Sequence, residues 1–327
     1  MIRSARRRGR WLTAGIALAL CSGCQPFTRA QREATYGPTE GILETVAVLR
    51  RHVPDDTYRF PPASDFGGRN VYRASLLRLE NLERAEAEAM RSGYMDPVLL
   101  FAKARAIERL RAFDLAAGLY RESARRSDTL RETALSSART CERIRDAIEI
   151  GLDLVDPLAE GGDAPLPLDA DAVRVDLEER VARLTLLESE LDGSHYQWVV
   201  QEEIERADVT RAHYFVATRF ARQDGTLLAL QELQRVITRH GASKNRLRHL
   251  LRMADFYAEL ARETLAAVPP ASLAFDPARF RELVEAAVRL YELVSSYDGR
   301  PEKLEATRKL EAFLAHTLVI DADRFDR

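Results

Sequence analysis

From Asn70 almost to the C-terminus, the apolar residues of this chain recur at spacings of three and four, with no strand-length run of alternating β-branched residues. That period puts them on one face of a helix and conflicts with a pleated strand, whose faces alternate every two residues. Leu76, Leu79, Leu82, Ala85 and Ala89 make one such stripe. Leu177, Val181, Leu184, Leu187 and Leu191 make another, stopped by Gly193. Only 16 glycines and 13 prolines occur in 327 residues. Ala, Leu, Arg and Glu dominate, and these lose little freedom on entering a helix. The expected fold class is all-α: stacked antiparallel helix hairpins, as a degenerate solenoid or a helical bundle.

Two stretches break the pattern. "VPDDTYRFPPASDFGGRN", residues 53–70, is too rich in Pro, Gly and Asp for regular structure. It is expected to drape over the domain with Tyr58, Phe60 and Phe66 docked in grooves; the alternative is an exposed aromatic contact loop. "DPLAEGGDAPLPLDAD", 156–171, is the internal linker. These breaks divide the chain into 24–69 (a tether with one short helix at 39–52 and the Pro/Gly-rich loop), an N-terminal helical region at 70–155, the linker at 156–171, and a C-terminal helical region at 172–327. Helices are expected at 96–111, 113–127 and 130–154, then at 195–222, 225–240, 245–267, 277–297 and 301–319, with Asn70 an N-cap.

One segment carries more than periodicity. In "LLFAKARAIERLRAFDLAAGLYRES", 99–123, Leu100, Ala104 and Ile107 share one helix face, and Phe113, Ala116 and Tyr120 share the next. This resembles a tetratricopeptide repeat, a 34-residue helix hairpin with small residues where its helices meet. Ala104 and Ala116 hold the small positions and Tyr120 the large one; Arg111 stands where a turn Gly is common, and Asp128 where a closing Pro is expected. Thirty-four residues on, Ala138 and Cys141 continue a decayed copy. The same spacing returns at Ala217 and Ala229, with Phe220 and Leu233 in the large positions, and again at Ala254 and Tyr257. The resemblance covers about half the chain and implies a curved array whose groove binds peptides, helices or proteins.

The N-terminus supplies an address. Arg3, Arg6, Arg7, Arg8 and Arg10 precede the apolar "WLTAGIALAL", which is too short to span a bilayer and reads as a signal peptide over residues 1–23. Cleavage after Ala19 would leave Cys21 and Cys24 as a C-x-x-C. Alternatively, Leu20, Ser22, Gly23 and Cys24 resemble the lipobox of bacterial lipoproteins, although Cys21 stands where an aliphatic residue is usual. That resemblance implies Cys24 as the acylated (palmitate-bearing) first residue. With Gln25 rather than Asp next, it implies the inner leaflet of the outer membrane, facing the periplasm. One acylated terminus tethers a domain to a membrane without inserting it.

Charge and motifs narrow the function. Without residues 1–23 the chain keeps 44 of its 49 bases against 51 acids, an excess of seven negative charges, which argues against nucleic-acid binding. Between Glu232 and Asp255 there is no acid, yet Arg235, Arg239, Lys244, Arg246, Arg248 and Arg252 all occur. This segment is the candidate contact surface for an anionic partner; pairing with neighbouring acids is the competing reading. No H-E-x-x-H, Gly-rich phosphate loop, G-x-S-x-G or paired C-x-x-C is present. "LDADAVRVD" at 168–176 lacks the Gly and closing Glu of a calcium loop and reads as a helix start. Cys141 is expected to be a buried, inert thiol, and neither a cofactor nor a metal is implied.

The expectation is an envelope-anchored, non-catalytic helical-repeat scaffold that holds another envelope protein or peptide. It resembles the repeat lipoproteins of barrel-assembly machinery and, through "RAHYFVATRFARQDG" and "DADRF", those accompanying TRAP-type transporters. Glu188-Ser189 superficially resembles the catalytic pair of helical lytic transglycosylases, without their Gly-Leu-x-Gln element. A homo-oligomeric coiled coil through the 170–192 stripe is a further alternative.

Overall fold

The computed structural model describes residues 38–88, 95–152 and 169–325. The signal segment, Cys24, Ala89 and most of the 156–171 linker lie outside the described residues. Within them are eleven α-helices and no strand. In chain order these are α1 (Pro38–His52), α2 (Val71–Ala85), α3 (Asp96–Arg109), α4 (Phe113–Arg126), α5 (Asp128–Ile148), α6 (Ala170–Glu190), α7 (His195–Ala217), α8 (Gly225–Arg239), α9 (Arg246–Ala267), α10 (Pro277–Ser295) and α11 (Pro301–Phe325). Every helix packs on its successor, and the remaining substantial helix contacts join elements two apart. The fold is an all-α stack of helix hairpins.

Local chemistry sets the starts. Asn70 accepts from the Tyr72 N–H, Asp169 from those of Asp171 and Ala172, and Asp276 from those of Ala278 and Arg279. Each side chain satisfies donors that the first helical turn leaves unpaired. The acids of 168–176 thus open α6.

The core passes from helix to helix. Leu49, Tyr72 and Leu79 of α1 and α2 meet Ala102 and Ala106 of α3. Ala104, Phe113, Ala116 and Tyr120 join Ala138, Cys141 and Ile144 of α5, then Leu184 and Leu187 of α6 and Tyr196 and Val200 of α7. The regions on either side of the linker therefore share one apolar cluster. Leu177, Tyr214, Ala229, Leu233 and Phe256 continue it, and Leu250, Ala254, Ala287, Tyr291 and Phe313 close it.

Two boundaries differ from expectation where an arginine turns inward. α5 ends at Ile148 rather than near 154. Gly151 turns the chain at φ 68°, where a Cβ would stand 2.6 Å from the Cβ of Asp176. Arg180 of α6, 3 % exposed, donates to the carbonyls of Ile150, Gly151 and Leu152, placing a cation at the negative end of α5. The 177–191 stripe is covered by α7 within the same chain, with Leu177, Leu184 and Leu187 buried.

α7 ends at Ala217 rather than near 222 and passes into a 3-10 turn at Arg219–Ala221. Arg219 is buried and its guanidinium reaches Val216 O, Glu259 and Glu263. Its carbonyl lies so close to Gly225 that a Cβ there would overlap it. Ala217 is consequently exposed and Phe220 is 75 % exposed, so neither is a core position of a second repeat. Val209, Ala212, Tyr214 and Phe215 are the buried α7 residues in the cluster with Ala229 and Leu233. The remaining repeat positions Leu100, Ala104, Ala116, Tyr120, Ala229, Leu233 and Ala254 are buried, while Ile107 and Tyr257 are half-buried.

Candidate anion-binding cleft

The site is built around α7, a helix with no single apolar face. Fourteen of its 23 residues are buried, among them Glu203, Glu205, Asp208, Thr210 and Arg211. A buried charge persists only when paired and hydrogen-bonded, and here each has found its partner. Glu203 accepts two parallel bonds from Arg111, Nε to Oε1 at 2.7 Å and Nη2 to Oε2 at 2.8 Å. Glu205 accepts from Ser243 Oγ and Asn245 Nδ2 and pairs with His249 Nε2 at 2.6 Å. Asp208 takes Arg235 Nη1 at 2.9 Å, Arg239 Nη1 at 3.2 Å and His240 Nε2 at 2.9 Å.

Burial alone would raise the carboxyls of Glu205 and Asp208. The bonds from His249 and Ser243 outweigh it for Glu205, as do His240, Arg235 and Arg239 for Asp208, and both are held below the ordinary carboxylate range. His213, half-buried on the same helix, is pushed down to about 4 by burial and by the charges of Arg252 and His249.

Arg111 explains a sequence oddity. It sits in the turn between α3 and α4 with φ 67°, the left-handed region where the repeat pattern favours Gly. The double bond to Glu203 holds it there. The same turn region contains Glu108, fully buried, whose carboxylate takes Arg105 Nη1 at 2.8 Å and the hydroxyls of Tyr120 and Tyr196 at 2.7 and 2.8 Å. His195 Nε2 stands 3.0 Å away. Burial, opposed by Glu108, keeps His195 below its ordinary value, so Arg105 carries the countercharge. The Cys141 thiol lies 3.6 Å from Glu108 and is pushed up by burial and by that carboxylate, which suppresses the reactive thiolate.

Segment 57–62 crosses this framework as a strap. Tyr58 is buried and its hydroxyl meets His240 Nδ1 at 3.0 Å, extending the Asp208–His240 pair. The Lys244 N–H donates to Tyr58 O at 2.8 Å and Lys244 Nζ to Thr57 O. Arg59 lies 4.8 Å over the ring of half-buried Trp198. Of the three loop aromatics only Tyr58 docks, held by His240 and by Lys244 at its carbonyl; Phe60 is 63 % exposed and Phe66 is fully exposed.

Between the strap, α7, the start of α9 and the turn before α11 lies a cleft of about 610 Å³. The strap contributes Arg59, α7 contributes Arg206, the α8–α9 turn contributes Lys244, α9 contributes Arg246, Arg248 and Arg252, and the last turn contributes Arg300. Against these seven cations stand three carboxylates, Glu202, Glu205 and Glu302. Each is engaged: Glu202 by Arg206 and Lys244, Glu205 as above, Glu302 by Arg248. By formal count the lining carries four excess positive charges in a chain whose formal net charge is −2, although just outside it Arg59 pairs with Asp56 and Arg206 also reaches Glu203. Among the described residues, exposed Arg246 and Arg300 have no carboxylate partner.

The six bases of the acid-free segment are therefore divided. Arg235 and Arg239 serve Asp208, whereas Lys244, Arg246, Arg248 and Arg252 line the cleft. Arg59, Arg206 and Arg300, from distant parts of the chain, were not part of the sequence expectation. Among the described residues no group of three metal-ligating side chains is placed together, and no helix is long and apolar enough to cross a membrane. Glu188 is not in the cleft lining and accepts from Gln201, while Ser189 Oγ turns back to Leu186 O. Against known proteins, the chain matches no family model, no curated protein and no solved structure.

Proposed function

We propose that this chain is a lipoprotein of the bacterial envelope, acylated at Cys24 and tethered to the outer membrane on its periplasmic side. Its helical array acts without catalysis, as a scaffold that holds another envelope protein or peptide. The observation that carries the reading is the cleft: seven cations face three already engaged carboxylates in a protein that is otherwise mildly acidic. A concave site with fixed excess charge attracts and orients a partner of opposite sign. Its carboxylates are held in ion pairs while Arg246 and Arg300 are left to face a partner.

Cross-linking in intact cells tests this. The wild-type chain, a Cys24→Ala chain and an Arg246→Glu/Arg300→Glu chain are recovered in mild detergent. The expected result is one envelope protein captured at near-stoichiometric yield by the wild type and depleted in both variants. Equal capture by all three chains contradicts the reading.

A further inference from the structure

We infer that the occupant of the cleft is an extended, carboxylate-rich peptide segment of the partner. This rests on the proposed scaffold role and specifies its ligand. Six of the seven cleft cations are arginines, whose planar forks match carboxylates two bonds at a time. They are spread over the strap, α7, α9 and the turn before α11 rather than gathered at one point. A ligand meeting all of them must carry several separated charges, as a peptide with repeated Asp or Glu does and a single compact anion does not. The volume of about 610 Å³ lies within the range of sites that take drug-sized ligands, room for a few residues of such a segment.

The walls add direction. α9 and α11, helices of 22 and 25 residues, both begin at the cleft, at Arg246 and Pro301, and bring the positive ends of their dipoles to it. Asn245, the N-cap of α9, spends its side-chain amide on Glu205 instead of capping its helix. Pro61 and Pro62 of the strap with Val209 and Leu247 supply an apolar strip between the charges, a surface for the stems of acidic side chains. Exposed Phe60 lies next to these lining residues in the strap.

Fluorescence anisotropy with labelled octaglutamate tests the assignment. The full chain is used in detergent with Arg3, Arg6, Arg7, Arg8 and Arg10 changed to Gln, so that the leader carries no charge. Octaglutamate is expected to bind, weaken with added salt, and lose about tenfold or more in affinity when Arg246→Glu and Arg300→Glu are added. Both arginines are exposed and without a carboxylate partner, so circular dichroism and melting temperature should stay unchanged. Octaglutamine should not bind. Absence of octaglutamate binding, equal binding of octaglutamine, or insensitivity to the double reversal overturns the inference. So does tighter binding of tripolyphosphate or of phosphatidylglycerol vesicles, which would assign the cleft to phosphate groups. If the cells yield a partner that depends on Arg246 and Arg300 while octaglutamate fails to bind, the scaffold role stands and only the acidic-peptide assignment falls.

Discussion

The α3–α4 hairpin and the junction of α7, α8 and α9 are built by the same stacking of helices but bury different chemistry. Around Ala104, Ala116 and Tyr120 the interior is small apolar side chains against large ones, with Glu108 as the single buried carboxylate on those two helices. Around α7, Glu203, Glu205, Asp208 and Arg211 are buried and bonded to partners on α6, α8, α9 and the α3–α4 and α8–α9 turns. An apolar interface accepts many close packings, whereas a network of buried charges is satisfied in one arrangement. The hairpin gives the array its repeat; the junction fixes the geometry in which surplus cations reach the cleft.

Removing a junction charge should have the largest effect. Asp208→Ala leaves Arg235, Arg239 and His240 without their shared carboxylate and should cost about 3–5 kcal/mol in urea unfolding. Trimming one methyl from the hairpin side, Ile144→Val, should cost about 0.5–1.5 kcal/mol. Equal costs would erase the contrast between the two regions.

The connection between the regions comes next. Arg111→Gly relaxes the left-handed turn by about 1 kcal/mol but leaves the buried Glu203 carboxylate without its double bond. The net result should be a loss of roughly 1–3 kcal/mol. A stabilised variant would show that backbone strain, not pairing, governs this position.

A smaller effect follows from pH. His213 is depressed to about 4 from 6.5, so the unfolded chain binds its proton first as pH falls. Its contribution to stability is therefore full above pH 6.5 and drains away on acidification towards pH 4. Between pH 6.5 and 5 the loss should be about 1.5 kcal/mol, and His213→Gln should flatten that slope. An unchanged slope would move the titration to another group. Smallest of all, Phe220→Ala should cost less than about 1 kcal/mol, the scale of its contact with Arg219.

The contrast also explains what could be read from the chain. Helix periodicity finds stripes because their residues are apolar, so Leu177, Leu184 and Leu187 on α6 and the Ala104–Tyr120 hairpin were legible. It cannot find Arg180 or Arg219, whose inward turns end α5 and bend the chain after α7, because an arginine in a stripe reads as solvent-facing. Phe220 was misplaced for that reason: its neighbour took the core position. The acid-free segment 233–254 marked a real concentration of charge. Which of its bases are spent on Asp208 and which face the cleft depends on α7, whose burial on several faces leaves no periodic signal. Arg59, Arg206 and Arg300 reach the same space from three separate stretches, and one sequence alone carries no mark of that convergence.

The most direct test of the account places a photo-cross-linking residue at position 246 or 300, or at 135, an exposed position on α5 outside the cleft lining. Irradiation is performed in intact cells. One discrete adduct is expected from 246 and from 300, diminished by Cys24→Ala, and none from 135. Adducts of equal yield from 135, or none from either cleft position, would contradict the claim that the cleft is where this protein holds its partner.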